Sequence, residues 1–176
     1  NLKKIFFSIV LFLAVFNSNS YSDVVEQVEI IGNERISNET IIIFGDVAVG
    51  KNYEISDVNS IIKKLYETTF FSYISAEVKN NKLSITVKEN PIVNSIIFDG
   101  EKAKKYNEKI KELLDLKEKG SFVENNVKRD INQIKAFYRS LGFYFVKIDA
   151  DVERLKKNRV NLVYTIDKGE KAKIAK

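Results

Sequence analysis

The sequence predicts an α+β protein made of two copies of one βααββ module, in which two helices cover one face of a three-stranded sheet. One observation is an internal repeat, because residues 65–71 resemble residues 137–143 at an offset of about 70 residues, which also relates Gly32 to Gly100. Another is that each copy holds three segments with the apolar period of a strand and two with helical spacing. The predicted modules are residues 23–90 and 91–169.

The first module is predicted to begin with a strand, residues 24–31, which ends at Gly32. Its other two strands form a hairpin whose inward residues alternate with polar ones: Ile74, Ala76, Val78, then Leu83, Ile85 and Val87. Asn80 and Asn81 lie between them and are predicted to form the tight turn, because asparagine tolerates positive φ.

Two helices are predicted between the first strand and the hairpin. Ser37 offers an N-cap oxygen for a short helix through Ile43, and Ser56 offers one for the second helix. The second helix is amphipathic, with an apolar face formed by Val58, Ile61, Ile62 and Leu65.

The second module repeats this order. A strand over residues 92–98 ends at Gly100, and a first helix is marked by Tyr106, Ile110, Leu113 and Leu114. Ser121 and Glu124 have the spacing of a capping box at the start of a longer helix. That helix has the clearest apolar stripe of the chain: Val127, Ile131, Ile134, Tyr138 and Leu141. Gly142 is predicted to end the helix as its C′ residue.

Seven aromatic residues cluster where the second helix of each copy meets the next strand: Tyr66, Phe70, Phe71, Tyr138, Phe143, Tyr144 and Phe145. A cofactor or sugar site is one interpretation of such a cluster. Because equivalent positions recur in both copies, we predict core packing beneath the helix.

The composition excludes several kinds of active site. The 176 residues include no cysteine and no histidine, which removes thiol nucleophiles, Ser-His relays and zinc sites built on these side chains. The seven glycines form no phosphate-binding loop. Carboxylate pairs such as Asp149 and Asp151 fall on outward strand positions. We therefore predict no catalytic residue, no metal site, no cofactor and no enzymatic activity, although an enzyme that uses only carboxylates stays formally open.

The N-terminus is typical of an export signal. Lys3 and Lys4 precede an apolar stretch, residues 5–16, which is too short to cross a bilayer, and small polar residues follow. Cleavage is predicted after Ser22, with an uncleaved anchor or a buried helix as the alternative. Without the two lysines, 27 basic residues stand against 24 acidic ones. A net charge this mild, together with lysines that alternate with glutamates over residues 101–112, indicates a solvated surface and predicts no nucleic-acid binding.

The order and spacing of several strings resemble the POTRA modules of outer-membrane barrel-assembly proteins. The matching segments are residues 30–37, 87–93, 96–100, 137–144 and 167–172. The resemblance implies mixed sheets, and it identifies residues 170–176 as the start of a further module. It also implies a C-terminal transmembrane barrel for membrane association, which these residues do not contain. We therefore expect the chain to be an N-terminal fragment of a longer product.

The resemblance further implies a non-catalytic, chaperone-like arm at the periplasmic face of the bacterial outer membrane. Its expected partners are unfolded outer-membrane β-barrel precursors and outer-membrane assembly lipoproteins. Clients would bind by β-augmentation, in which an extended segment adds to an unpaired sheet edge. Two alternatives are the arm of a secretion or translocation-assembly barrel and, less in keeping with two copies and a short apolar span, a cell-division scaffold.

The resemblance places the binding edge on the second strand of each module, residues 72–79 and 145–152. The candidate protein-binding residues are Tyr73, Ile74, Ser75, Ala76, Glu77, Val78, Val146, Lys147, Ile148, Asp149 and Ala150. The alternative is that these strands only complete the sheet of each domain and that their exposed edges bind no partner.

Overall fold

The computed structural model describes residues 24–171. The expected export signal, residues 1–22, and residues 172–176 of the expected further module lie outside the described residues. The first group of elements is β1 Gln27–Ile31, α1 Asn38–Gly45, α2 Ile55–Glu67, β2 Phe71–Lys79 and β3 Lys82–Glu89. The second is β4 Ile92–Asp99, α3 Lys104–Leu113, α4 Glu124–Ser140, β5 Lys147–Leu155 and β6 Arg159–Asp167.

Each group forms one three-stranded mixed sheet. The strand orders are β1-β3-β2 and β4-β6-β5, so the last strand of each group is central. In the first sheet β1 is parallel to β3 and β2 is antiparallel to it, and the second sheet repeats this arrangement. The predicted fold class, α+β with two mixed sheets and helices, is confirmed.

The two cores are built from the inward positions that the strand and helix periods predict. In the first, Leu83 and Ile85 of β3 and Leu65 of α2 are fully buried. In the second, Leu162 of β6 and Ile134 of α4 are fully buried. Burying one such side chain contributes about 1.5–3 kcal/mol relative to leaving it in water. In each module, the central strand and the second helix therefore bury their apolar side chains in one shared core.

Local chemistry predicted three backbone features correctly. The Thr40 amide donates to the Ser37 hydroxyl at 3.3 Å, which caps α1. Asn80 and Asn81 have φ of 51° and 60° in the two-residue turn between β2 and β3. Gly142 follows α4 with φ of 92°.

Two predicted caps are wrong. α2 begins at Ile55, one residue before the expected Ser56 cap, and the Asp57 carboxylate accepts the Glu54 amide at 3.0 Å. α4 begins only at Glu124, so Ser121 lies outside it and instead forms a β-bridge with Ile92. A tertiary backbone contact thus overrides the capping-box spacing.

The first strand is shorter than the predicted 24–31, because its first residues pair elsewhere. Val24 forms an isolated bridge with Asn52, and the Val25 amide donates to the Lys51 carbonyl at 2.9 Å. Regular pairing with β3 starts at Gln27.

The aromatic prediction is right for part of the cluster and wrong for three residues. Phe71 and Tyr138 are buried, and Phe70 and Phe143 pack against the two cores. The three exposed members, with their exposed fractions, are Tyr66 (43%), Tyr144 (58%) and Phe145 (77%). The corner residues therefore do not all face the core.

Within residues 24–171, no helix combines the length and apolar character needed to cross a membrane.

Candidate functional site

β2 is an edge strand, and its geometry fixes which backbone groups point outward. Lys79 and Lys82 pair directly beside the two-residue turn, so Lys79 exchanges hydrogen bonds with β3. Because antiparallel residues alternate in this respect, Glu77 and Ser75 also bond to β3. The residues between them, including Ala76, direct N–H and C=O away from the sheet. No strand pairs with that side of β2 in the described part of the chain.

The hydrogen bond of Ile74 agrees with this alternation of inward- and outward-directed backbone groups along β2. Its amide donates at 3.0 Å to the hydroxyl of Tyr66 in the last turn of α2 rather than to β3. The outward backbone groups therefore belong to Ile74, Ala76 and Val78, whose side chains face the helices. The side chains of the residues between them lie on the other face of the sheet.

A groove lined by both apolar and polar residues runs beside this edge. It has a volume of about 350 Å³ and lies between β2 and the N-terminal half of α2. Ile55, Val58 and Ile62 line the helix side, and Ala76 and Val78 line the strand side. Ile55 is 83% exposed. An added strand would place alternate side chains over this groove, because successive side chains of a strand point to opposite faces.

β5 occupies the same place in the second sheet. Its inward residues Ile148, Ala150 and Val152 repeat the Ile-Ala-Val order of β2. Since the two sheets share one strand order and one helix-covered face, the same residues of β5 direct their backbone groups outward. Lys147 and Asp149 are exposed on the opposite face.

The eleven candidate residues fall on these edges with one exception. All six from the first module lie in β2, where Tyr73 is 52% exposed and Ile74 is buried. Lys147 to Ala150 lie in β5, which starts two residues later than predicted and ends three later. Val146 is buried just before β5 begins. The edges are thus present, but only alternate residues offer backbone groups to a partner.

The helical side of the second edge differs in chemistry from the first. Aligning the buried pair Ile61 and Leu65 with Ile134 and Tyr138 makes Val58 of α2 correspond to Ile131 of α4. By the same alignment, the positions of Ile55 and Ile62 are taken by two lysines, Lys128 and Lys135. The first edge is therefore bordered by an apolar helix face and the second by a mixed one.

Three buried carboxylates were missed by sequence reasoning, and each is held by hydrogen bonds. Glu101, predicted to lie on a solvated face, is 6% exposed and accepts from the Ala103 amide, the Tyr138 hydroxyl and Lys168. Burial raises its pKa, but these donors together hold the pKa below the ordinary 4.5.

Glu89 has the corresponding role in the first module. Burial raises its pKa, but the backbone amides of Glu34, Arg35 and Ile36 and the Arg35 guanidinium outweigh that effect and keep the pKa below 4.5. Its carboxylate therefore fastens the loop after β1 to the end of β3.

Asp130 is fully buried, and burial raises its pKa above the ordinary 3.8 despite bonds from the Asp115 and Leu116 amides and the Tyr164 hydroxyl. A signal was present in the sequence, because a charged residue four positions before Ile134 shares the buried face of α4. All three carboxylates are engaged in structural bonds. Among residues 24–171, no group of three or more acidic side chains is placed to hold a metal ion.

The two modules are joined by a short hydrogen-bonded connection. The Asn90 amide donates to the Phe70 carbonyl at 2.7 Å, and its side-chain amide donates to the Thr69 carbonyl at 2.8 Å. The next residue, Pro91, accepts from the Phe122 amide at 2.7 Å. A cleft of about 560 Å³ at this joint is lined by both modules.

Two tandem βααββ modules, each a three-stranded mixed sheet with two helices, define a class of α+β repeat protein. Residues 91–169 match the family POTRA, described as surface antigen variable number repeat. The second module therefore belongs to this family, and the family match together with the curated relatives described next supports a POTRA arm of the BamA type.

Two curated relatives and one solved structure show how far the similarity extends. Outer membrane protein assembly factor BamA of Neisseria meningitidis serogroup B is 30% identical over 153 residues, which cover 85% of this chain and 19% of that protein. BamA of Neorickettsia risticii is 24% identical over 156 residues, covering 89% and 21%. The chain thus spans about a fifth of the length of these relatives.

The N-terminal domain of Omp85 from Thermosynechococcus elongatus has the same fold. Its TM-score is 0.55 at 13% identity, and the match covers 83% of this chain and 63% of that domain. At this identity, the similarity concerns the fold alone.

Proposed function

We propose that this chain is the periplasmic arm of an outer-membrane protein assembly factor and binds extended polypeptide segments by adding them to the edge of β2. The two BamA relatives support the assembly role through their names. The outward backbone of Ala76 and Val78, placed beside the apolar side chains of the groove, supports the mode of binding. The proposed activity is binding without catalysis.

The geometry favours a segment with alternating chemistry. Main-chain hydrogen bonds to the β2 edge supply affinity that depends little on sequence. Side chains on one side of the added strand would cover Ile55, Val58 and Ile62, and those on the other side would face water. Strands of outer-membrane barrels alternate apolar and polar residues in this way. Unfolded barrel precursors are therefore the proposed clients, with assembly lipoproteins as further partners and the periplasmic face of the outer membrane as the location.

The test replaces an edge donor without breaking the sheet. Ala76→Pro removes an N–H that points away from β3, and proline is tolerated on the outer side of edge strands. In a chain that also carries Ala150→Pro, which blocks the corresponding edge of β5, we expect the Ala76→Pro variant to stay folded. It should lose binding of a labelled peptide of alternating valine and threonine, measured by fluorescence anisotropy. Ser75→Pro is unsuitable, because the Ser75 N–H bonds to β3.

The matched control is Ser75→Ala, which changes a side chain on the sheet face opposite the helices and keeps every backbone group of the strand. Far-ultraviolet circular dichroism checks the fold of each variant. If the folded chain with both Ala76→Pro and Ala150→Pro binds the peptide as tightly as the chain with Ala150→Pro alone, the β2 edge is excluded.

A further inference from the structure

Tyr66 occupies one of the positions that an added strand would need. Its side chain extends from the last turn of α2, and its hydroxyl accepts the outward amide of Ile74 at 3.0 Å. An added strand would offer a backbone carbonyl to the same amide. The phenol oxygen therefore stands where the carbonyl of a partner would stand.

We infer that Tyr66 is a stop at one end of the β2 edge, which confines an added segment to the part of the strand around Ala76 and Val78 and thereby sets its register. This inference rests on the proposed function. A segment that reached Ile74 would have to displace the tyrosine hydroxyl and exchange one hydrogen bond for another, so the extra length would bring little affinity.

The position of the groove is consistent with a stop at Tyr66. The lining residues of the groove come from positions 53–62, before and along α2, and from Ala76, Glu77 and Val78, whereas Tyr66 lies in the last turn of the helix. The apolar contacts available to a partner and the unoccupied backbone groups therefore coincide along the same short stretch of β2. Register matters here, because a shift of one residue would turn the wrong side chains toward the groove.

The second module has no equivalent stop. Arg139 holds the position of Tyr66 in α4, by the same alignment of buried residues. Within the portion of the chain that the structure describes, no hydrogen bond links its side chain to β5. The two modules would consequently accept segments of different length, and β5 would accept the longer one.

The test compares peptide length in the unchanged chain and in Tyr66→Phe, which keeps the ring and removes only the hydroxyl. The probes are alternating valine–threonine peptides of about five and about nine residues. To restrict binding to the first edge, both chains also carry Ala150→Pro. We expect the longer peptide to gain about threefold to tenfold in affinity over the shorter one in Tyr66→Phe, the worth of one hydrogen bond, and to gain little in the unchanged chain.

Amide hydrogen exchange at Ile74 provides a readout that a change in stability alone would not give. In Tyr66→Phe this amide is expected to exchange faster without peptide and to become protected when the longer peptide binds. Tyr73→Phe removes a tyrosine hydroxyl from the other face of β2 and is the control, with length dependence unchanged. Equal length dependence in the Tyr66→Phe and unchanged chains, without peptide-dependent protection of Ile74, would overturn the inference.

Failure of the proposed function would look different. If neither chain binds either peptide, edge binding itself is wrong and the stop has no meaning. If only Tyr66→Phe binds, the hydroxyl is a stronger block than proposed, and the inference stands.

Discussion

Replacing Gly100 by alanine separates backbone strain from steric overlap. Gly100 follows β4 with φ of +87°, and a Cβ built on it would lie 2.3 Å from the carbonyl oxygen of Ile166 in β6. Gly50 has a similar φ of +81°, yet a Cβ there would meet nothing within 4 Å. Gly50→Ala is therefore a matched control that carries the strain without the overlap.

The expected magnitudes follow from these two geometries. A positive φ costs alanine about 1–2 kcal/mol, and the lower entropy of the unfolded chain returns about 0.4–1 kcal/mol, so Gly50→Ala should lose between about 0 and about 1.6 kcal/mol. Gly100→Ala adds an overlap that only a backbone shift can relieve, at about 1–3 kcal/mol. Its total loss in the free energy of unfolding should be about 1–5 kcal/mol.

Urea unfolding followed by circular dichroism measures the loss, and amide exchange assigns it to a module, because two modules need not unfold in one step. Gly100→Ala should weaken protection in β4 and β6 first. Gly32→Ala, with a Cβ 2.3 Å from the Val87 carbonyl oxygen, should do the same in the first module. Equal losses for Gly100→Ala and Gly50→Ala would refute the steric argument.

Three further outcomes are expected. The folded-state pKa of Glu89 lies below 4.5, so the stability from its ionised form is present above about pH 4.5 and is lost as the pH falls through the folded-state pKa. In urea unfolding, the free energy of unfolding of Glu89→Gln should therefore fall less at acid pH than that of the unchanged protein. An unchanged pH dependence would contradict this. Tyr164→Phe removes a donor from buried Asp130 and should raise the carboxyl pKa further while costing about 1–3 kcal/mol, which a carboxyl titration by NMR and urea unfolding would test together. Phe71→Ala should lower the free energy of unfolding by about 3–5 kcal/mol, whereas Phe145→Ala, at a position 77% exposed, should change it by less than about 0.5 kcal/mol. Similar losses for the two variants in thermal unfolding would show that exposure does not decide their effects on stability.

Features decided by a few neighbouring residues could be predicted from the sequence. The Ser37 cap and the turn at Asn80 and Asn81 depend on local backbone chemistry, and the strand period depends on which face meets the core. The Ser121 cap failed because that residue pairs with Ile92, far away in the chain. Long-range pairing competes with local propensity, and a local sequence pattern does not indicate which distant residues will pair.

The candidate site shows the same division. Alternation of side chains located the second strand of each module to within about three residues, and the resemblance assigned that strand to the sheet edge. It did not reveal which amides point outward, because that follows from the pairing partner and not from the side chain. Nor did it reveal the bond from Ile74 to Tyr66, since a tyrosine hydroxyl gives no sign in the sequence of the amide it accepts. The exposed position of Phe145 was missed because composition does not tell which side of a corner faces the core.

The parallel pairing of β1 with β3 has a consequence for the order in which the chain folds. Gln27 pairs with Lys82, so the first strand waits for a partner that lies more than fifty residues later, whereas β2 and β3 are separated by a single tight turn. Local hairpins close quickly and distant pairings slowly, because loop-closure entropy must be overcome first. A chain that emerges N-terminus first would therefore complete its hairpin before β1 joins. The last strand of each module to emerge is the central one, and the sheet of that module forms only when this strand is present.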